Sequence, residues 1–342
     1  MTDHLHKVAI IGAGPIGIEL AVALKQAGVD YVHLDAGPVG TTMTWYPLLM
    51  QFHSNAERLA ISGVPIQTAD QQKVTREEFL AYLRAVVLQF GLDIRTYERV
   101  ESIRLIDDVF ELTTNRDTLR AENVVLAIGA MHRPRLLGIP GEELPHVSHY
   151  FHEPHMYFGQ RLVIIGGKNS AIEAAIRCQR AGAHVTLVYR GDDFDASRVK
   201  FWLLPEIRSM LRDDRVNAIL SAKPVEIRER FIVLQTPAGL REVPADFVLS
   251  LTGYEQDTRL FEMAGIGVFG EEKKPGYDEE TMETNVPGIF LAGTAIAGSP
   301  VGRVRIIVED CHVHVPRIVK AITARATRHS PAASRSVPPS KP

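Results

Sequence analysis

The chain has 342 residues, of which 45% are hydrophobic and 23% charged, with a formal net charge of −3. That is enough for two ordinary domains with packed cores, and it argues against global disorder. The charge gives no basic excess for nucleic acid or an anionic membrane, and no apolar run reaches the ~18 residues that span a bilayer.

The first seven residues are mostly polar and run straight into a strand, leaving no room for a signal peptide, so a cytoplasmic protein is the expectation. Residues 7–11 form an apolar strand, 17–28 a helix and 31–34 a second strand, a βαβ unit. Its turn is Gly12-Ala13-Gly14-Pro15-Ile16-Gly17. In this spacing Gly12 permits the tight turn, Gly14 lets backbone approach a pyrophosphate, and Gly17 lets helix pack on strand. The helix N-terminus adds unpaired N–H groups and a positive dipole end. Asp35 closes the second strand, where a carboxylate bonds ribose hydroxyls. Together these features point to a dinucleotide; a purely structural turn is the alternative.

Residues 41–72 are irregular, and a loop that long inside a domain is usually functional. Residues 75–90 form an amphipathic helix with Thr75 and Glu78 as a capping box. Strands are expected at 92–104, 109–113 and 124–128, and a connection at 134–158.

A second βαβ unit follows at 161–165, 170–181 and 184–189, with the turn Gly166-Gly167-Lys168-Asn169-Ser170-Ala171. Lys168 replaces the second glycine, giving up close backbone approach and adding a cation near the phosphates. Asn169 and Ser170 can cap the helix or bond phosphate oxygen. Arg190 ends the second strand, where an NAD site carries an acid; an arginine there suits a 2′-phosphate, so NADPH is expected ahead of NADH, which stays possible. A solvated strand-end arginine is the alternative, and the P-loop spacing is absent. A helix near 200–212, strands over 216–249, a strand at 288–292 and a helix near 304–325 complete the chain, before a Ser/Pro/Arg-rich tail from about 327 that is expected to be disordered.

Beyond the glycines, the segments Val124-Val-Leu-Ala127-Ile-Gly129-Ala and Leu249-Ser-Leu-Thr252-Gly253-Tyr, and the run from Glu283 to Gly293-Thr294, resemble three signatures of the low-molecular-weight flavoprotein disulfide reductases and the related flavin monooxygenases. The first two are similar to the paired Ala/Thr-Gly segments that connect the two domains of those enzymes, and the third to their C-terminal FAD segment. Within the group the likeness is to the bacillithiol disulfide reductase-like proteins. It is carried by the Gly166 turn, Val188-Tyr-Arg-Gly191, Trp202-Leu-Leu-Pro-Glu206 and Ile307-Val-Glu309-Asp-Cys-His-Val-His314.

The resemblance implies an α/β fold of two Rossmann-like, three-layer ββα dinucleotide-binding domains. The nicotinamide domain (131–253) is inserted in the FAD domain (1–130 and 254–326), with a tail at 327–342. FAD would be held by Gly12, Ala13, Gly14, Pro15, Ile16, Gly17, Asp35, Ala127, Gly129, Gly293 and Thr294, with Val100 touching the adenine through its strand backbone. NADPH would be held by Gly166, Lys168, Asn169, Ser170 and Arg190, with Thr252 and Gly253 in the connection. It further implies an FAD-dependent NAD(P)H oxidoreductase, usually a homodimer or larger, that passes hydride from NADPH to FAD and then reduces a disulfide or other small acceptor. A flavin-dependent monooxygenase and a reductase of a ferredoxin-like carrier are the other readings. The arginines Arg190, Arg198, Arg208, Arg212 and Arg215 leave room for a basic docking face in the latter.

One departure stands out. Ile16 occupies a position where that group often carries a cysteine, and the chain has only Cys178 and Cys311, so no Cys-x-x-Cys pair exists. No metal site is expected: Pro154 interrupts the series His149, His152 and His155. His53, Glu309 and His314 remain as polar residues for flavin or substrate, with ordinary packed or solvated roles as the alternative. No catalytic residue is singled out, because the cofactors carry the chemistry of hydride transfer.

Overall fold

The computed structural model describes residues 4–68, 73–299 and 306–329. The first sheet starts at β1 (Leu5–Ile11), where Val8, Ala9, Ile10 and Ile11 are all buried. Side chains on a strand alternate between faces, so this run needs cover on both sides, the condition of a parallel strand between layers. After β1 come α1 (Pro15–Gln26), β2 (Tyr31–Leu34), α2 (Ala56–Leu59), α3 (Arg76–Phe90) and the antiparallel strands β3 (Val100–Ile106), β4 (Val109–Thr114) and β5 (Thr118–Leu126). The sheet order is β2-β1-β5-β4-β3, with β1 parallel to both β2 and β5.

Thr75 and Glu78 form the expected capping box on α3, side chain to backbone in both directions. The expected strand at 92–104 begins only at Val100. Gly91 ends α3 in the left-handed region (φ 54°), and the Leu92 N–H turns back to the Val87 carbonyl. Arg95 then touches β2 as a single parallel bridge to Leu34. The strand expected at 124–128 ends at Leu126, because Gly129 takes a left-handed φ of 76° and turns the chain away.

A two-residue ribbon leads out of this unit: β6 (Arg133–Pro134) is paired antiparallel with a strand that returns much later. The second unit contains β7 (Val147–Ser148), β8 (Arg161–Ile165), α4 (Asn169–Arg180), β9 (His184–Val188), α5 (Leu203–Arg212), β10 (Asn217–Ile219), β11 (Lys223–Ile227), β12 (Phe231–Thr236), β13 (Gly239–Pro244) and β14 (Phe247–Ser250). Its parallel sheet has the order β10-β9-β8-β14-β7, and β11-β12-β13 form a separate antiparallel sheet. The β8 alternation builds both cores: Leu162 and Ile164 pack with Ile172, Ile176 and Ile207 on the helix side. Val163 and Ile165 pack with Ile227, Ile232 and Leu234 on the other. This is the three-layer arrangement.

The returning ribbon strand β15 (Tyr254–Glu255) leads to α6 (Arg259–Met263), β16 (Val268–Phe269), β17 (Lys274–Pro275) and β18 (Ile289–Leu291). β18 lies parallel to β5, Ile289 opposite Val124, so the second unit is an insertion between strands of the first sheet. The final helix, α7 (His314–His329), starts later than the expected 304; residues 308–310 form a separate 3-10 turn, and 300–305 lie outside the described residues. Residues 327–329 continue α7 rather than joining the tail, and 330–342 lie outside the described residues. Among the described residues no helix is long and apolar enough to cross a membrane.

Candidate functional site

At the C-terminal end of β1 the three glycines of the first turn have different reasons to be glycine. Gly12 has φ 110°, and a Cβ on it would sit 2.4 Å from the Ala127 carbonyl oxygen. A Cβ on Gly17 would sit 2.0 Å from the Gly12 carbonyl oxygen. A Cβ on Gly14 meets nothing within 4 Å, and its φ of −76° suits any residue. Gly12 and Gly17 are required by protein packing; Gly14 borders open space at the N-terminus of α1, where Pro15 occupies the first turn and has no N–H to leave unpaired. That arrangement fits a pyrophosphate.

Asp35 lies beside it, accepting from the Ala13 N–H at 2.6 Å, the Gly37 N–H at 2.8 Å and Thr41 Oγ1 at 3.1 Å. Burial pushes its carboxyl above the ordinary value, against those three hydrogen bonds. His33, on β2, is fully enclosed, and burial pushes it down to about 4. Being neutral, it donates from Nε2 to the Gly12 carbonyl at 2.9 Å, which leaves Nδ1 buried without a protein partner. Val100 begins β3 as a buried residue.

The C-terminal segment closes over this turn. A Cβ on Gly293 (φ 67°) would stand 3.4 Å from Cβ of Ile16, so the side chain in place of the cysteine packs on that glycine. The Gly293 N–H donates to His314 Nδ1 at 3.1 Å. Burial pushes His314 down to about 4, and the nearby charges of Arg317 and His312 act the same way. Thr294 faces Gly129: a Cβ on the glycine would lie 3.7 Å from its hydroxyl. Gln256, which no sequence pattern marks, ties the two segments together, donating to the Gly129 carbonyl at 3.0 Å and the Ala295 carbonyl at 2.7 Å. Its Oε1 is buried without a protein partner.

Cys311 is not in the final helix but ends the 308–310 turn. Its thiol donates to the Ile307 carbonyl, and burial pushes it up to about 12. Cys178, in the α4 core, is likewise pushed up to about 12 by burial. At pH 7 a thiol with such a pKa is ionised in roughly one molecule in 10⁵. The Cys178→Ala/Cys311→Ala double variant is therefore expected to retain at least about half of wild-type turnover, with any loss appearing in thermal stability. A turnover falling to a few per cent with the flavin content intact would contradict this.

His312 clamps the same segment to the first unit. Nδ1 lies 2.7 Å from Glu19 Oε2 on α1, and Nε2 lies 3.0 Å from the Arg58 carbonyl. Both partners are acceptors, so the doubly protonated ring satisfies both, and the Glu19 hydrogen bond raises the His312 pKa despite burial. A raised folded-state pKa gives stability that is complete below the unfolded value of about 6.5 and lost as pH rises through the folded value. His312→Gln is thus expected to destabilise the protein more at about pH 6 than at about pH 9. Urea unfolding at the two pH values measures the difference.

The second turn differs. Gly166 has φ 142°, with its would-be Cβ 2.6 Å from the Leu251 carbonyl oxygen. Thr252 Oγ1 donates to the Arg135 carbonyl at 2.7 Å, and the Gly253 carbonyl accepts from the Arg135 N–H at 2.9 Å. These two residues therefore seat the turn against the ribbon between the units. Gly167 is needed because a Cβ there would lie 2.3 Å from the Tyr189 ring, which stacks on Phe194. Lys168 caps α4 through its backbone, Ser170 is exposed, and Asn169 Oδ1 accepts from the Lys200 N–H at 2.8 Å. Burial lowers the Lys168 pKa, and Arg198, Arg135 and Arg190 lower it further. Four cations thus share the mouth of this turn; the sequence marked Lys168 and Arg190 but gave no local sign of Arg135. Arg208 and Arg215, by contrast, bond Asp193 and Gln179 of their own unit.

Between the units, the irregular segment after β2 meets the inserted unit. The Leu48 N–H donates to the His152 carbonyl at 3.0 Å, and Arg177 donates to the Leu48 carbonyl at 2.6 Å. His53 is not packed into the turn but lies 4.8 Å from the Trp202 ring, which also faces Lys73 at 4.8 Å and Lys200 at 5.6 Å. Ser54 donates to Glu309. Burial pushes Lys200 down to about 8, against the attraction of Glu309. His149 bonds Glu142 at 3.0 Å.

Two glycine turns at strand ends, each opening a helix, with an acid beside one and clustered cations beside the other, define a protein that holds two dinucleotides. The sequence profile of the pyridine nucleotide-disulphide oxidoreductases matches residues 9–293, and the chain belongs to that family. It is 35% identical over 321 residues to the bacilliredoxin reductase of Bacillus subtilis, covering 93% of this chain and 98% of the relative. A ferredoxin–NADP reductase of Ignicoccus hospitalis is 28% identical over 83% of this chain and 88% of its own. The bacillithiol disulfide reductase of Staphylococcus aureus superposes with a TM-score of 0.89 at 31% identity, over 94% of this chain and 99% of that one. The protein is an FAD-dependent NAD(P)H oxidoreductase with two Rossmann-like domains.

Proposed function

We propose that the chain reduces a low-molecular-weight disulfide with electrons from NADPH, the substrate class named by its bacillithiol disulfide reductase neighbour. The observation that carries the nucleotide assignment is the contrast between the turns: open space and Asp35 at Gly14, clustered cations at Lys168. FAD, when bound, accepts hydride from the nicotinamide and passes the electron pair on.

In this reading the FAD domain comprises 1–130 and 254–326. Gly12, Ala13, Gly14, Pro15, Ile16 and Gly17 cradle its pyrophosphate, and Asp35 takes the ribose hydroxyls. Val100 meets the adenine, while Ala127, Gly129, Gly293 and Thr294 frame the flavin end. The nicotinamide domain comprises 131–253; Gly166, Lys168, Asn169 and Ser170 hold the NADPH pyrophosphate, Arg190 the 2′-phosphate, and Thr252 and Gly253 the connection. The enzyme acts in the cytoplasm as a homodimer.

No thiol of the chain is available, so the acceptor itself must meet the flavin. The seam of Ser54, Lys200, Trp202 and Glu309 supports this role: Lys200, near 8, is a proton source for the thiolates formed. Turnover with a disulfide is expected to fall as pH rises through about 8, and Lys200→Gln to lose that limb while flavin reduction by NADPH stays unchanged.

The deciding experiment is an acceptor screen on FAD-loaded protein with bacillithiol disulfide, other small disulfides, quinones and ferredoxin. Reduction of ferredoxin alone would replace this reading. The pairing of Arg208 and Arg215 within their own unit favours the small acceptor.

A further inference from the structure

At the opposite end of β1 from the cofactor turn, the fold assembles a cluster that the sequence does not announce. His4 precedes β1 and His6 lies within it; two residues apart in extended chain, they point to one side. Asp30 sits in the connection just before β2, which runs parallel to β1. His4 Nε2 and His6 Nδ1 each lie 3.1 Å from the same oxygen, Asp30 Oδ2, and the three ligand atoms all fall within 4.8 Å of one another. The two rings meet edge to face at 80°.

We propose that His4, His6 and Asp30 form a binding site for a divalent first-row transition-metal ion, with zinc as the probe. Bond lengths of ~2.05 Å at a tetrahedral centre place neighbouring donors ~3.3 Å apart; the two pairs that include Asp30 are at 3.1 Å, and the two imidazole nitrogens, which lie within 4.8 Å of each other, close on the ion by side-chain rotation. Two imidazoles and one carboxylate suit zinc, cobalt or nickel rather than calcium or magnesium, which take oxygen ligands. Side-chain exposures of 59% for His4 and 51% for Asp30 leave a fourth position open to water.

The recess beside the cluster also holds Lys25, Asp93 and Arg95. Lys25 is engaged with the Phe90 and Gly91 carbonyls, Asp93 adds a negative charge, and Arg95 acts against a bound cation. The strand between this cluster and the Gly12 turn is seven residues long, about 20 Å, so a metal here would pin the start of β1 to the start of β2 without entering the redox chemistry.

The test uses the full FAD-loaded chain without an affinity tag. Calorimetric titration with zinc at about pH 7.5 is expected to show one equivalent, and cobalt to give the strong visible bands of a tetrahedral site. Asp30→Asn and the double variant His4→Gln/His6→Gln are expected to bind zinc about 100-fold more weakly, while NADPH-driven flavin reduction is unchanged. Zinc should raise the wild-type Tm and not that of the double variant. These positions are exposed or at the sheet margin, and circular dichroism confirms that the variants are folded. Equal stoichiometry and affinity in the double variant, or no binding to the wild type at micromolar zinc, overturns the proposal.

Discussion

Gly14→Val is expected to fold and to be isolated without flavin, whereas Gly12→Val is expected not to fold. The two residues are separated by one position and share a motif, but their surroundings differ. At Gly12 a side chain meets a backbone carbonyl at 2.4 Å with φ 110°. Backbone strain there costs about 1–3 kcal/mol, and the clash with a carbonyl held in the sheet adds a similar amount. That sum takes a large part of the 5–15 kcal/mol by which domains are stable. At Gly14 the backbone is ordinary, at φ −76°, and a Cβ meets no protein atom within 4 Å. The change costs the fold only the weaker N-cap preference, on the order of 1 kcal/mol. The branched side chain instead fills the open space that the proposed reading gives to a pyrophosphate. FAD affinity is expected to fall by about 100-fold or more, equivalent to about 2.8 kcal/mol. Flavin absorbance of the purified protein, with circular dichroism for the fold, separates the variants. A Gly14→Val protein that keeps full flavin content would remove the assignment of this turn to FAD.

What the sequence made legible was local. The glycine spacings, Asp35 at a strand end and the Thr75/Glu78 box each express their meaning within a few residues, and each recurs in the structure as expected. Strand limits are less legible than the motifs, and the strand expected at 92–104 begins only at Val100: nothing in Leu92 to Thr96 announces that the chain merely touches β2 there. The residues that complete the site were invisible because their partners lie far along the chain. Gln256 joins Gly129 to Ala295, His312 joins Glu19 to the Arg58 carbonyl, and Arg135 reaches Lys168 only because the inserted unit folds back on the ribbon. Ile16 illustrates both sides. Its identity was evident as the absence of a cysteine, while its contact with Gly293 appears only when β18 returns beside β5.

The cation cluster at the second turn leads to the other large effect. Burial is the largest cause of the lowered Lys168 pKa, and Arg198, Arg135 and Arg190 add to it against Asp195, so an anion placed among these cations is favoured. A nicotinamide dinucleotide brings its pyrophosphate in either form, but only NADPH brings a 2′-phosphate, and Arg190 is the cation to which the proposed reading gives that group. A charge-assisted hydrogen bond is worth about 1.5–3 kcal/mol. Arg190 is exposed, so solvent screening puts the effect at the low end. Arg190→Ala is therefore expected to lower kcat/KM for NADPH about 10-fold and to leave that for NADH within about twofold. Arg190→Glu should go further and reverse the preference, because it sets a negative charge against the phosphate and offers an acceptor to a ribose hydroxyl. Lys168→Ala, by contrast, removes a cation from the shared pyrophosphate and should weaken both cofactors alike. Raising ionic strength should narrow the NADPH advantage in the wild type and hardly alter it in Arg190→Ala. Steady-state kinetics with both nucleotides at two salt concentrations measures all four expectations. An Arg190→Ala enzyme that loses NADPH and NADH to the same degree would show that this arginine serves the turn and not the 2′-phosphate.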